Sequence, residues 1–72
     1  MFRDNVINMG YNGNIVVVRT LAAAAQSVSA CLDGLGWKEI LGTVGGDDTI
    51  FIMVNQGTQP REVIEKLQDL MD

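Results

Sequence analysis

Asp47 and Asp48 are the residues of this 72-residue chain whose type and spacing most directly suggest chemistry. They follow Gly45-Gly46 and lie between the apolar runs that start at Ile40 and Ile50, a hairpin pattern in which the glycines are expected to reverse the backbone. Adjacent carboxylates repel each other, so something cationic is expected to offset them: a metal ion, a lysine or arginine side chain, or a bound ligand. A purely structural role stands beside that reading, because aspartate is common in turns, where it bonds nearby backbone amides. Catalysis finds little support. The chain has no histidine, and its single cysteine, Cys31, has no partner base. An enzyme using Asp47 and Asp48 with a divalent metal remains a rival, since Mg²⁺ can use one or two carboxylates plus substrate phosphates. Nothing here would hold those phosphates. Consecutive strand residues also point to opposite faces, which suits two separate contacts better than one shared site. Binding of a small cation fits the pair better than catalysis, and no catalytic residue, metal site or cofactor is expected.

Composition sets the frame for this pair. Seventy-two residues make one small domain, which buries only about 60% of its unfolded surface and is marginal alone. Yet 47% of the residues are apolar, a mismatch that points to burial in an oligomer. The net charge is −4 and the five basic residues are scattered, so the basic footprint of a nucleic-acid-binding domain is absent. A lone cysteine excludes a disulfide framework and a zinc quartet, and Cys31 reads as a small buried hydrophobe. No apolar run approaches the roughly 20 residues needed to span a membrane, no signal peptide is visible, and a cytoplasmic location is expected.

The elements that must position the acidic pair follow from pattern. Phe2 to Met9 reads as a strand, Tyr11-Asn12-Gly13-Asn14 as a tight turn, and Ile15 to Thr20 as a second strand. Ile15-Val16-Val17-Val18 loads both faces of that strand with apolar groups, so both faces are expected to be covered. Leu21 to Leu35 reads as a helix opened by the strong formers Ala22–Ala25 and closed by Gly34 and Gly36. Ala25, Val28, Leu32 and Leu35 make its apolar stripe. Gln26 and Asp33, seven residues apart, share the opposite face, with Ala30 leaving room between them. Trp37 to Val44 and Thr49 to Asn55 read as the third and fourth strands, with Trp37 a packing residue near an edge. Thr58 is the expected N-cap of a last helix with Pro60 in its first turn. Val63, Ile64, Leu67, Leu70 and Met71 form its buried face, and Glu62–Lys66 is an i, i+4 pair. The order strand-strand-helix-strand-strand-helix predicts an α+β two-layer sandwich: a four-stranded antiparallel sheet with two helices on one face.

Leu41-Gly42-Thr43-Val44-Gly45-Gly46-Asp47-Asp48-Thr49-Ile50 closely resembles the Gly-Thr-x-x-Gly-Asp-Asp-Thr-Ile signature of the C-terminal domain of bacterial arginine repressors. The resemblance extends through Val16-Val17-Val18-Arg19-Thr20, Ala25-Gln26, Leu32-Asp33 and the last helix, and so covers essentially residues 1–72. A bare Gly-Asp-Asp also occurs in viral polymerases; the long motif with Gln26 and Asp33 upstream is far more specific. The resemblance implies an oligomerisation domain of a transcriptional regulator of arginine metabolism. It implies a homo-trimer, two of which stack into a homo-hexamer with L-arginine bound at their interface as corepressor. The residues implied in L-arginine binding are Gln26, Asp33, Thr43, Gly45, Asp47 and Asp48. Chemistry agrees, because a guanidinium is planar with five donors that match carboxylates, while the α-amino and α-carboxylate groups need acceptors and donors. DNA contact is implied only through an N-terminal winged-helix domain absent from these residues. Family members often carry Pro-Gly where this chain has Ala22-Ala23, a departure that bears on the loop before the helix. The alternative within the same fold is an oligomerisation module without a ligand.

Overall fold

The computed structural model of the protein describes residues 2–71. Its elements are α1 (Phe2–Asn5), β1 (Val6–Asn12), β2 (Ile15–Thr20), α2 (Ala25–Gly34), β3 (Ile40–Gly45), β4 (Thr49–Val54) and α3 (Pro60–Met71). The strands form one sheet in the order β1-β2-β4-β3, with every neighbouring pair antiparallel. The two expected hairpins are therefore joined through β2 and β4, and the α+β sandwich predicted from the pattern is the fold observed.

Strand alternation builds the core. Val16 and Val18 of β2 and Ile50, Ile52 and Val54 of β4 face inward to meet Ala25, Val28 and Leu32 of α2 and Val63 and Leu67 of α3. Burying each of these valine, leucine and isoleucine side chains is worth roughly 1.5–3 kcal/mol, which is what holds the helices on this face. The opposite face of the sheet is also apolar. Phe51 pairs with Val17 on one side and Val44 on the other, and Val44 is 74% and Phe51 53% exposed. Ile15, Met53 and Leu41 extend that patch. The unbroken β-branched and apolar runs of β2 and β4 thus reflect two apolar faces, of which the chain covers one by itself.

Several local expectations are corrected. Phe2–Asn5 is a short helix rather than the start of a strand, because Phe2 turns into the core. The first hairpin loop is Gly13-Asn14, since Asn12 still pairs with Ile15. Within that loop only Gly13 has positive φ (58°), a type II′ pattern rather than one centred on Asn12-Gly13. Helix α2 begins at Ala25, not Leu21. The alanines before it form a β-turn in which the Ala24 amide donates to the Leu21 carbonyl at 3.1 Å, and turn geometry there overrides helix propensity. Trp37–Glu39 precede β3 rather than belonging to it. Cys31 is exposed, not buried, because it lies off the Ala25–Val28–Leu32 stripe. Helix α3 starts at Pro60, two residues after Thr58, and Leu70 is 47% exposed, outside the buried face.

Lys66 likewise takes a partner other than Glu62. Its ammonium donates to Glu39 Oε2 at 2.9 Å and lies 4.3 Å from the centroid of the Trp37 ring, which packs against the core. This ties the turn before β3 to α3. The hydrogen bond from Lys66, with a backbone hydrogen bond at Glu39, holds the Glu39 carboxyl below its ordinary value of 4.5 against the opposing effect of burial. A carboxylate with a depressed pKa stabilises the fold above its ordinary value and loses that contribution as pH falls through the lowered one. Thermal melts of wild type and Glu39→Gln, followed by circular dichroism from about pH 6 to pH 3, should therefore show a shallower acid limb in the variant. Parallel curves would mean that the pair adds nothing to stability.

Candidate ligand-binding site

Residues of α2 and β3 form a row of polar contacts along one seam. Thr43 and Gly45 pair with Ile52 and Ile50, so both face the helices. Gly45 lets α2 come close: a Cβ there would lie 3.3 Å from Ser29 Cβ and 3.4 Å from the Ala25 carbonyl oxygen. Its φ is not in the left-handed region, and neither is that of Gly46. The Gly-Gly pair therefore serves helix packing at its first member rather than reversal of the chain. At this spacing the Gln26 side-chain amide donates to the Gly45 carbonyl at 2.7 Å, with the Gly46 carbonyl at 3.5 Å.

Further along the seam, Thr43 Oγ1 donates to Asp33 Oδ1 at 2.8 Å and lies 2.8 Å from Ser29 Oγ. A hydroxyl has one proton. Thr43 gives its proton to the carboxylate, so Ser29 is the donor to Thr43, and the three side chains form a relay Ser29→Thr43→Asp33. Ser29, not Ala30, is the residue between Gln26 and Asp33 that the fold buries on this seam. Ala30 is exposed. The available signal was spacing: Gln26, Ser29 and Asp33 recur at i, i+3 and i+7, one helical line.

Asp47 and Asp48 lie in the β3–β4 loop rather than on a strand, so strand alternation does not separate them. Their backbone carbonyls point to the scaffold. Asp48 O accepts from the Thr20 amide at 2.8 Å and Asp47 O from the Ala25 amide at 3.2 Å, while the Gly46 amide closes the loop on Thr49 O at 2.8 Å. Asp48 Oδ1 also accepts from Thr49 Oγ1 at 3.0 Å. Both aspartates are exposed. Among the described residues, no lysine or arginine pairs with Asp33, Asp47 or Asp48. These residues also contain no group of three or more His, Cys, Asp or Glu side chains suited to a metal ion. The structure thus brings Gln26, Thr43, Gly45 and Asp33 onto one seam and sets Asp47-Asp48 beside its Gly45 end. Asp33 stands at the far end, about two helical turns, or roughly 10 Å, from Gln26.

Fold and seam together define a small α+β domain with an anionic margin and an apolar open sheet face. The sequence matches the arginine repressor C-terminal domain family over residues 2–69, and the chain belongs to that family. The family is one of repressors, not enzymes. The chain is 42% identical over 71 residues to an arginine repressor of Symbiobacterium thermophilum, covering 99% of this chain and 47% of that protein. It is 44% identical over 72 residues to one from Desulforudis audaxviator, covering 100% and 48%. A third, from Alkaliphilus metalliredigens, is 41% identical over 70 residues, covering 97% and 47%. The chain spans about half the length of these relatives. No helix among the described residues is long and apolar enough to cross a membrane.

The close approach at Gly45 makes a direct prediction. In Gly45→Ala the added methyl must push Ser29 or the Ala25 peptide aside by a few tenths of an ångström. Such overpacking should lower stability by about 1–2 kcal/mol in chemical denaturation. Wild-type stability in this variant would show that α2 does not depend on a bare backbone at residue 45.

Proposed function

We propose that this chain is the L-arginine-sensing oligomerisation domain of a regulator of arginine metabolism, with L-arginine bound as corepressor between two trimers of a hexamer. The observation that carries this reading is the Asp47-Asp48 pair. Its backbone is anchored to Thr20 and Ala25, yet its exposed carboxylates have no ion-pair partner among the described residues. Anchored, unneutralised carboxylates are a receptor for a cation supplied from outside the chain. A guanidinium matches them because its planar fork meets carboxylates bidentately. Gln26, whose amide nitrogen is held by the Gly45 and Gly46 carbonyls, offers its carbonyl oxygen to the α-amino group of an amino acid. Thr43, with its only proton given to Asp33, acts by orienting that carboxylate. Asp33 and Gln26 stand about two helical turns apart along the seam, so acceptors are available for both the guanidinium and the α-amino end of an extended arginine. The apolar open sheet face supports the assembly that this reading requires.

The relatives are about twice as long and are named arginine repressors. This domain has a net charge of −4, so contact with DNA falls to the other half of such proteins. A ligand-free oligomerisation module is the second reading, favoured by the same apolar face alone. Calorimetric titration separates the two. L-arginine should bind wild type. Asp47→Asn and Asp48→Asn, which remove a charge-assisted hydrogen bond worth roughly 1.5–3 kcal/mol, should each weaken it about tenfold or more. Lysine and citrulline should bind poorly, the first lacking the planar fork and the second the charge. Unchanged arginine affinity in both folded variants would remove the pair from the site and leave the plain module.

A further inference from the structure

Ala23 is the one non-glycine among the described residues with positive φ, 66°. It occupies the third position of the turn Leu21–Ala24, which is closed by the Ala24 amide on the Leu21 carbonyl at 3.1 Å. Positive φ at that position is the type II turn pattern, for which glycine is the preferred residue. An alanine held there disfavours the turn relative to glycine by roughly fivefold, after allowance for glycine's greater freedom in the open chain. Such strain persists only where the surroundings over-determine the conformation. Packing does not do this, because Ala22 and Ala23 are both exposed. The constraint comes from the flanks. On one side the Thr20 amide donates to Asp48 O at 2.8 Å and the Leu21 amide to Asn5 O at 2.9 Å; on the other the Ala25 amide donates to Asp47 O at 3.2 Å. Two of these three bonds end on the carbonyls of the acidic pair.

We propose that the Leu21–Ala24 turn and the Asp47-Asp48 loop open and close as one unit, with Ala23 as a strained positioning residue that loads the two bonds fixing the carboxylates. The strain weakens the anchor of the acidic loop in this chain, so its opening is several-fold more populated than glycine at residue 23 would allow. By reciprocity, a ligand that binds only the closed arrangement of Asp47 and Asp48 must also close the turn. That second consequence rests on the arginine reading above.

Amide hydrogen exchange, read residue by residue by NMR on the assembled chain without ligand, tests the unit. The Thr20 and Ala25 amides should exchange through one common opening, more populated than the opening of the β2 and β4 amides at the sheet centre. Ala23→Gly should raise the protection of these two amides together, by about fivefold. Ala23→Val, whose branched side chain resists positive φ, should lower it for the same two. A role confined to general stability would instead have both amides exchange with the sheet centre. That result, or Thr20 and Ala25 responding independently or not at all to the Gly variant, overturns the proposal. L-arginine added to wild type should protect the same pair. If the ligand-free results hold and arginine adds no protection, the coupled unit stands and the arginine reading falls.

Discussion

Helix α2 can lie where it does on β3 only because residue 45 has no side chain. With Ser29 Cβ and the Ala25 carbonyl 3.3 and 3.4 Å from where a Cβ would stand, the helix sits at the limit of contact with the strand. Everything polar along the seam depends on that spacing. Gln26 reaches the Gly45 carbonyl at 2.7 Å, and Ser29 meets Thr43 at 2.8 Å, a distance at which the hydroxyl relay to Asp33 forms. The Ala25 amide, in the first residue of the same helix, anchors Asp47. A helix displaced by even a fraction of an ångström would lengthen these bonds together, since they share one rigid body.

The seam spends stability on readiness for a partner. Three exposed carboxylates stand without ion pairs among the described residues, and the open face of the sheet leaves Val44 and Phe51 largely exposed. Neither arrangement favours an isolated 72-residue chain, which buries a smaller share of its surface than a larger domain does. Both become favourable when other copies cover the apolar face and a cation meets the carboxylates. The attraction between opposite charges in such an interface is screened less by salt than at an open surface. Among the described residues the ion pair is Lys66 with Glu39, beside Trp37, and it ties the turn before β3 to α3.

Much of this was legible from the chain. Unbroken β-branched and apolar runs and glycine-bearing turns point to two hairpins in an antiparallel sheet, and the Gly-Asp-Asp motif points to the exposed acids, whereas the order in which the hairpins join is visible only in the structure. The misses have physical causes. Ala22–Ala25 read as a helix start because alanine has the highest helix propensity, but hydrogen bonds from Thr20 and Ala25 to the acidic loop impose a turn. Gly45-Gly46 read as the reversal point because glycine suits turns, whereas its first member is needed for helix approach, a three-dimensional contact that no local pattern encodes. Ser29 is illegible because a serine on a helix looks like surface until a strand hydroxyl is placed against it. Helical spacing favours Glu62 as the partner of Lys66, whereas the tertiary structure offers Glu39 and an aromatic ring.

The central claim is that the acidic loop meets its cation between copies of the chain, so that ligand and assembly are linked. Sedimentation velocity at micromolar chain, with and without L-arginine, tests it most directly. A ligand bound between trimers must favour the larger assembly, by about 2.7 kcal/mol per site at a hundredfold excess over Kd. The distribution should move from trimer towards hexamer as arginine is added. An assembly state unchanged at saturating arginine, or a stable folded monomer throughout, would contradict the account.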